Sequence, residues 1–190
     1  MRGFFFVTML LALLSFLNGC APLVIGGAAA GGVMVAQDRR TVGTLTEDEG
    51  IELKTGGRIG ERFKDSVHLN ATSYNRTVLL TGEVPDAAAR AEVERIARGV
   101  ENVRGVYNET QVAGVSSFTA RSNDSIITSK VKGRFLDSGK FNALHVKVVT
   151  ESGVVYLMGM VKKQEAADAT ELARTTSGVL KVVRVFEYID

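Results

Sequence analysis

Val78-Leu79-Leu80-Thr81-Gly82-Glu83-Val84 and Val155-Tyr156-Leu157-Met158-Gly159-Met160-Val161 are one segment written twice, at an offset of 77 residues. Upstream, Val67-His68-Leu69-Asn70-Ala71 matches Leu144-His145-Val146-Lys147-Val148 at the same offset, and Arg62-Phe63-Lys64-Asp65-Ser66 matches Arg134-Phe135-Leu136-Asp137-Ser138 at 72. Downstream, Ile96-Ala97-Arg98 matches Leu172-Ala173-Arg174, and Val103 and Val106 match Val179 and Val182, all at 76. Blocks recurring in one order mark an internal repeat. The drift in offset predicts a five-residue insertion near residues 139–143 of the second copy and a one-residue deletion later.

Each copy carries the same hydrophobic periods. A helix comes first: Ile51 to Phe63 in the first copy, and in the second a helix capped by Asn123 or Asp124, with Ile127, Val131 and Phe135 at i, i+4, i+8. An alternating strand (Val67, Leu69, Ala71; Val146, Val148) and a turn (Asn75-Arg76; Glu151-Ser152-Gly153) lead to a second strand. A helix over Asp86–Arg98 or Lys163–Thr175 and a strand over Val103–Thr110 or Lys181–Tyr188 complete the copy. The expected fold class is α+β, αββαβ twice, each copy with two helices on one face of a three-stranded sheet. Gly82 and Gly159 are expected to allow a close helix–strand approach or a positive φ.

The 190 residues include 23 Lys+Arg and 21 Asp+Glu, and 45% are hydrophobic. That composition excludes wholesale disorder and a polytopic membrane protein. The net charge of +2 conceals an asymmetry: residues 46–112 sum to −3 and residues 121–190 to +3. Two units with different roles follow from that contrast. One cysteine permits no intrachain disulfide.

The N-terminus reads as an address. Arg2 precedes FFFVTMLLALLSFL at residues 4–17, which is too short for a membrane span of about 20 residues but fits a secretory h-region. Leu17-Asn18-Gly19-Cys20 resembles a bacterial lipobox. On that reading Cys20 is the lipidated residue, and Ala21, not aspartate, follows it, as in outer-membrane lipoproteins. Residues 1–19 are then a signal peptide. Residues 20–45 are a lipidated Gly/Ala-rich tether, whose DRRTVGT segment is expected to pack as an ordered loop on the first domain. Residues 46–112 and 123–190 are the two domains, and residues 113–122 a linker.

The αββαβ order, the glycine after the second strand, and the Ala-x-x-x-x-(Gly/Asn)-Val-x-x-Val close resemble the BON domain. Two such domains behind a lipobox resemble the dual-BON outer-membrane lipoproteins. The strings DRRTVGT, NATSYNRTVLLTGEVP, VYNET, SNDSIITSKV and HVKVVTESGVVYLMG carry the likeness over nearly the whole mature chain. The resemblance implies a protein on the periplasmic face of the outer membrane that binds anionic phospholipids (phosphatidylglycerol, cardiolipin) through its second BON domain. It also implies support of envelope integrity and concentration at the division site.

The residues point the same way. On the helix of the second copy, Ile126, Lys130 and Arg134 form a stripe beside the core stripe, with Lys132 and Lys140 nearby. An apolar tip beside cations suits an anionic bilayer surface, at about 1 kcal/mol per cation. The resemblance implies a tryptophan at the position where Ile126 stands, so the apolar contact is retained without the interfacial preference of an indole. The alternative is a periplasmic adaptor for an envelope-assembly or peptidoglycan-processing partner, with the acidic first domain facing away from the bilayer or packing on the second.

Enzyme chemistry finds little support. His68 and His145 read as structural residues, and no metal site or cofactor is expected. Ser116-Ser117 lacks a Gly-x-Ser-x-Gly setting. No Gly-rich phosphate loop or CxxC occurs, no paired carboxylates at equivalent repeat positions stand out, and no nucleic-acid partner is implied.

Overall fold

The structure, a computed structural model, describes residues 38–190. Cys20 and the stretch to residue 37 lie outside the described residues. The first αββαβ unit comprises α1 (Val42–Phe63), β1 (His68–Tyr74), β2 (Thr77–Val84), α2 (Ala87–Arg98) and β3 (Gly105–Asn108), followed by a short β4 (Gln111–Val112). The second comprises α3 (Phe118–Ser138), β5 (Lys147–Glu151), β6 (Val154–Val161), α4 (Lys163–Arg174) and β7 (Lys181–Tyr188). In each, an antiparallel hairpin supplies the central strand, against which the last strand pairs in parallel: β1-β2-β3 and β5-β6-β7. The extra β4 continues along β2 beyond β3.

Both first helices begin earlier than their apolar period. Thr41 caps α1 by accepting from the Thr44 N–H, and Ser117 caps α3 by accepting from the Ala120 N–H. The expected starts at Ile51 and at Asn123 or Asp124 are therefore corrected, and residues 118–122 are helix rather than linker. The opening turns were hidden because their inward positions are polar. Asp48 and Asp124 are buried in the two helices. Asp48 accepts from the Asn75 and Arg76 N–H groups at 2.8 and 2.7 Å, and Asp124 from those of Ser152 and Gly153 at 2.9 and 2.8 Å. Each carboxylate holds a two-residue hairpin turn whose residues have positive φ. Paired carboxylates at equivalent positions thus do exist, and their work is structural.

This pair also corrects the register of the repeat. Ile51, Thr55 and Ile59 are buried in α1, and Ile127, Val131 and Phe135 in α3. Every pair, like Asp48 and Asp124, differs by 76. The Arg-Phe-x-Asp-Ser match at 72 is one helical turn out of step, and the five-residue insertion reduces to a single residue before the strands. Similar short strings outweighed the helical period, although packing obeys the period.

Three cores result. Ile51, Ile59, Val93 and Ala97 pack on Val78, Leu80 and Val84 in the first unit. Ile127, Val131, Phe135, Ala169 and Ala173 pack on Val148, Val155, Leu157 and Val161 in the second. Each unit thus has both helices on one face of its sheet. The third core joins the opposite sheet faces: Tyr74 and Leu79 of the first unit meet Tyr156, Met158 and Val185 of the second. The two units are packed back to back. The Tyr156 hydroxyl is pushed up to about 12 by burial, with Glu109 and Glu151 adding to the effect.

Gly82 and Gly159 occupy equivalent positions on the central strands. A Cβ on Gly82 (φ +113°) would lie 2.1 Å from the His68 carbonyl oxygen, and one on Gly159 2.3 Å from that of His145. The close approach is to the backbone that opens the neighbouring strand, at the first residue of β1 for Gly82 and at the 3₁₀ turn Ala143–His145 just before β5 for Gly159.

The DRRTVGT segment binds both units. Arg40 bonds Asp38 and Asp48 and lies 3.9 Å over the Tyr74 ring. Arg39 donates to the Met160 carbonyl at 2.7 Å and grips both Glu165 oxygens at 2.7 and 2.8 Å. The expectation that this loop packs on the first domain is thereby extended to the second. Further bonds cross the seam from Lys147 to Glu52 (2.6 Å), Asn70 to Glu151 (3.0 Å) and Asn75 to Glu187 (2.6 Å).

Gly159 has no positive φ, so Gly159→Ala is a purely steric test. Forcing a methyl against backbone is expected to cost about 2–3 kcal/mol and to lower Tm by roughly 5–10 °C in a thermal melt. The hydrogen bonds from Arg39 hold the Glu165 carboxyl at about 2, below its ordinary 4.5. A folded-state value below the unfolded one gives stability that is full above 4.5 and is lost as pH falls towards 2. The Tm gap between the wild type and Arg39→Ala is therefore expected to be constant from neutral pH down to about 4.5 and to close below it.

Candidate functional site

Ile127, Val131 and Phe135 turn one side of α3 into the core, which leaves the opposite side facing outward. On the outer side Ile126 is 54% exposed, Leu136 70% and Phe118 78%, and Lys130 and Lys132 are exposed. Ile126 and Lys130 share one flank at i, i+4, and Lys132 and Leu136 share the next, with Gly133 between them. Exposed Asp137 adds one opposing charge at the C-terminal end.

The register of 76 shows what is particular to this face. Gly50, Gly56 and Gly60 of α1 stand where α3 carries Ile126, Lys132 and Leu136. The two helices share their core positions and differ on their outer surface. The first copy presents glycine there; the second presents two large aliphatic side chains and a cation.

Arg134 is placed differently from the other candidates. Its Nη1 donates to the Leu172 carbonyl at 2.6 Å and to the Thr175 and Thr176 hydroxyls at 2.9 and 3.0 Å. A cation there satisfies carbonyl groups left open at the C-terminus of α4 and complements its dipole. Arg58, its equivalent in α1, donates to the Gly99 carbonyl after α2 at 2.9 Å. The shared device marks Arg134 as a brace between helices. Lys140 reaches Asp168 at 3.3 Å. Among the described residues, Lys130 and Lys132 have no carboxylate within ion-pair distance.

Leu136 and Phe118 were not among the residues singled out in the sequence. Leu136 was paired with Lys64 by the offset of 72; at 76 it stands opposite Gly60, and its exposure becomes the informative feature. Beside it, a groove of ≈ 360 Å³ runs along the boundary between the units, lined by Lys132, Leu136 and Leu144 on one side and by Arg40 and Tyr74 on the other. Among the described residues, no helix is long and apolar enough to cross a membrane.

Comparison with known proteins agrees with the duplicated fold. The BON domain matches residues 47–114 and again residues 123–190. The chain is 40% identical to the outer membrane lipoprotein DolP of Haemophilus influenzae over 186 residues, 97% of this chain and 96% of that protein. It is 34% identical to a 21 kDa hemolysin of Actinobacillus pleuropneumoniae over 80% of each chain. A solved C-terminal domain of CdsD, a structural protein of the type III secretion system of Chlamydia trachomatis, aligns with 77% of this chain and 98% of that chain at 13% identity and a TM-score of 0.31.

The brace is separable from the exposed face. Charged hydrogen bonds of this kind contribute about 1.5–3 kcal/mol, so Arg134→Ala is expected to lose that much stability in urea unfolding. Arg58→Ala, which removes one bond at an exposed position, is expected to lose less.

Proposed function

The chain belongs to the BON-domain family, and on that premise we propose that it is an outer-membrane lipoprotein whose second domain docks on anionic phospholipid through the outer face of α3. Cys20 supplies the acyl anchor at the periplasmic side of the outer membrane. Ile126 enters the interface between headgroups and acyl chains, Lys130 and Lys132 pair with headgroup phosphates, and Leu136 extends the apolar contact. Arg134 holds α3 against α4, so its contribution to docking is to keep the face in position.

The observation that carries this reading is the replacement of three glycines of α1 by Ile126, Lys132 and Leu136 of α3. A core requires none of these residues on the outward side. Exposed aliphatic side chains beside cations are suited to a bilayer interface. Each cation near an anionic leaflet contributes about 1 kcal/mol within a Debye length. The contact is weak by itself, but the anchor raises the effective concentration, so weak affinity suffices. The acidic first domain, packed against the opposite face of the second sheet, leaves α3 uncovered. Envelope support and enrichment at the division site belong to the same proposal, since a surface selective for phosphatidylglycerol or cardiolipin follows the distribution of those lipids.

Vesicle co-sedimentation of the acyl-free chain tests the reading. Binding to phosphatidylglycerol or cardiolipin vesicles and not to phosphatidylcholine is expected. Lys130→Gln with Lys132→Gln is expected to weaken binding roughly 30-fold at low salt, given about 1 kcal/mol for each cation. Equal binding to neutral vesicles, or full binding by this double variant, would overturn the proposal.

A further inference from the structure

The back-to-back packing has a polar end. His68 and Glu83 of the first domain and Glu151 of the second point into the same space between the sheets. Glu83 is 5% exposed and Glu151 4%. Two carboxylates so deeply buried and facing each other require compensation, because isolated buried charges are strongly unfavourable. The bonds around them are few. His68 Nδ1 lies 3.1 Å from Glu83 Oε2, the Ser116 N–H donates to the same oxygen at 3.2 Å, and the Asn70 amide donates to Glu151 Oε2 at 3.0 Å. Thr81, on the same strand face as Glu83, is fully buried, and its hydroxyl faces Glu151 without a well-formed hydrogen bond.

We propose that His68, Glu83 and Glu151 bind a divalent transition-metal ion that joins the two BON domains. One imidazole nitrogen and carboxylate oxygens form a borderline donor set suited to Zn²⁺ and, less tightly, Mn²⁺. The donor atoms lie within 4.8 Å of one another. Metal bonds of 2.0–2.2 Å set tetrahedral donors roughly 3.4 Å apart, so the side chains close by about one ångström around the ion. The Thr81 hydroxyl is placed to orient Glu151, and Asn70 already donates to its Oε2, as outer partners of metal ligands do. A cleft of ≈ 250 Å³ reaches His68, Asn70 and Glu151, with Arg121 and Asp124 on its walls, and gives the ion a route in. The ligands come from both domains, so the ion acts on their packing. This inference rests on the seam and is independent of lipid docking by α3.

The test uses the mature acylated chain in dodecylmaltoside, stripped with EDTA and titrated calorimetrically with ZnCl₂, MnCl₂ and MgCl₂. One Zn²⁺ per chain is expected, bound more tightly than Mn²⁺ and far more tightly than Mg²⁺, with a rise in Tm on loading. Glu151→Gln and His68→Gln are each expected to weaken Zn²⁺ at least about ten-fold and to abolish the rise in Tm, whereas His145→Gln is expected to change neither. His68 lies towards the rim, so His68→Gln keeps the test valid if Glu151→Gln fails to fold. The proposal is overturned if no Zn²⁺ binds, if both ligand variants bind it as the wild type does, or if His145→Gln removes the binding.

Discussion

The burial of the two sheets against each other governs the rest of the molecule. A small sheet with two helices on one face exposes its other face, and here that face is apolar: Leu79 in one unit, Tyr156, Met158 and Val185 in the other. Joining the faces buries the central strands on both sides, so all but the first residue of β2, and nearly all of β6, are buried. Strands in that position read as continuous apolar runs. The same packing fixes which surfaces remain open. The outer faces of all four helices look outward, and α3 is the one whose repeat counterpart carries glycine where it carries Ile126, Lys132 and Leu136.

The duplication separates what folding needs from what function uses. Both copies retain an aspartate that holds the hairpin turn (Asp48, Asp124), an arginine that braces the end of the second helix (Arg58, Arg134), and a glycine under a backbone carbonyl (Gly82, Gly159). These devices serve the αββαβ unit wherever it occurs. Residues that differ between copies are free of that duty. The outer face of α3 is one such set. The polar end of the seam is another: Glu83 stands where the second copy has Met160.

Most of the fold was legible in the sequence because strand alternation and helical periods survive in both copies. The errors have physical causes. Helix starts were missed because Thr44, Asp48 and Asp124 place polar groups on the inner side, where an apolar period has no signal. The insertion was hidden because the string Arg-Phe-x-Asp-Ser recurs one helical turn away from the register of the inward positions, which repeat at 76. On α3, the outward placement of Ile126, Lys130 and Lys132 was legible from helix geometry alone. The role of Arg134 was not, since its acceptors lie on a helix about 40 residues away and no local pattern encodes them. Packing of the two domains was present in the sequence as apolar residues on both faces of β2 and β6.

Back-to-back packing also fixes where Arg39 and Arg40 sit relative to α3. Arg39 and Arg40 sit at the boundary between the domains, one gripping Glu165 of the second and the other Asp48 of the first. A groove lined by Arg40 and Tyr74 on one side and by Lys132 and Leu136 on the other connects that point to α3. If these arginines held one domain alone, bending at the seam would change their distance to α3. Because the clasp spans both domains, Arg39, Arg40 and α3 belong to one folded body, and the entropy of ordering them is lost in folding.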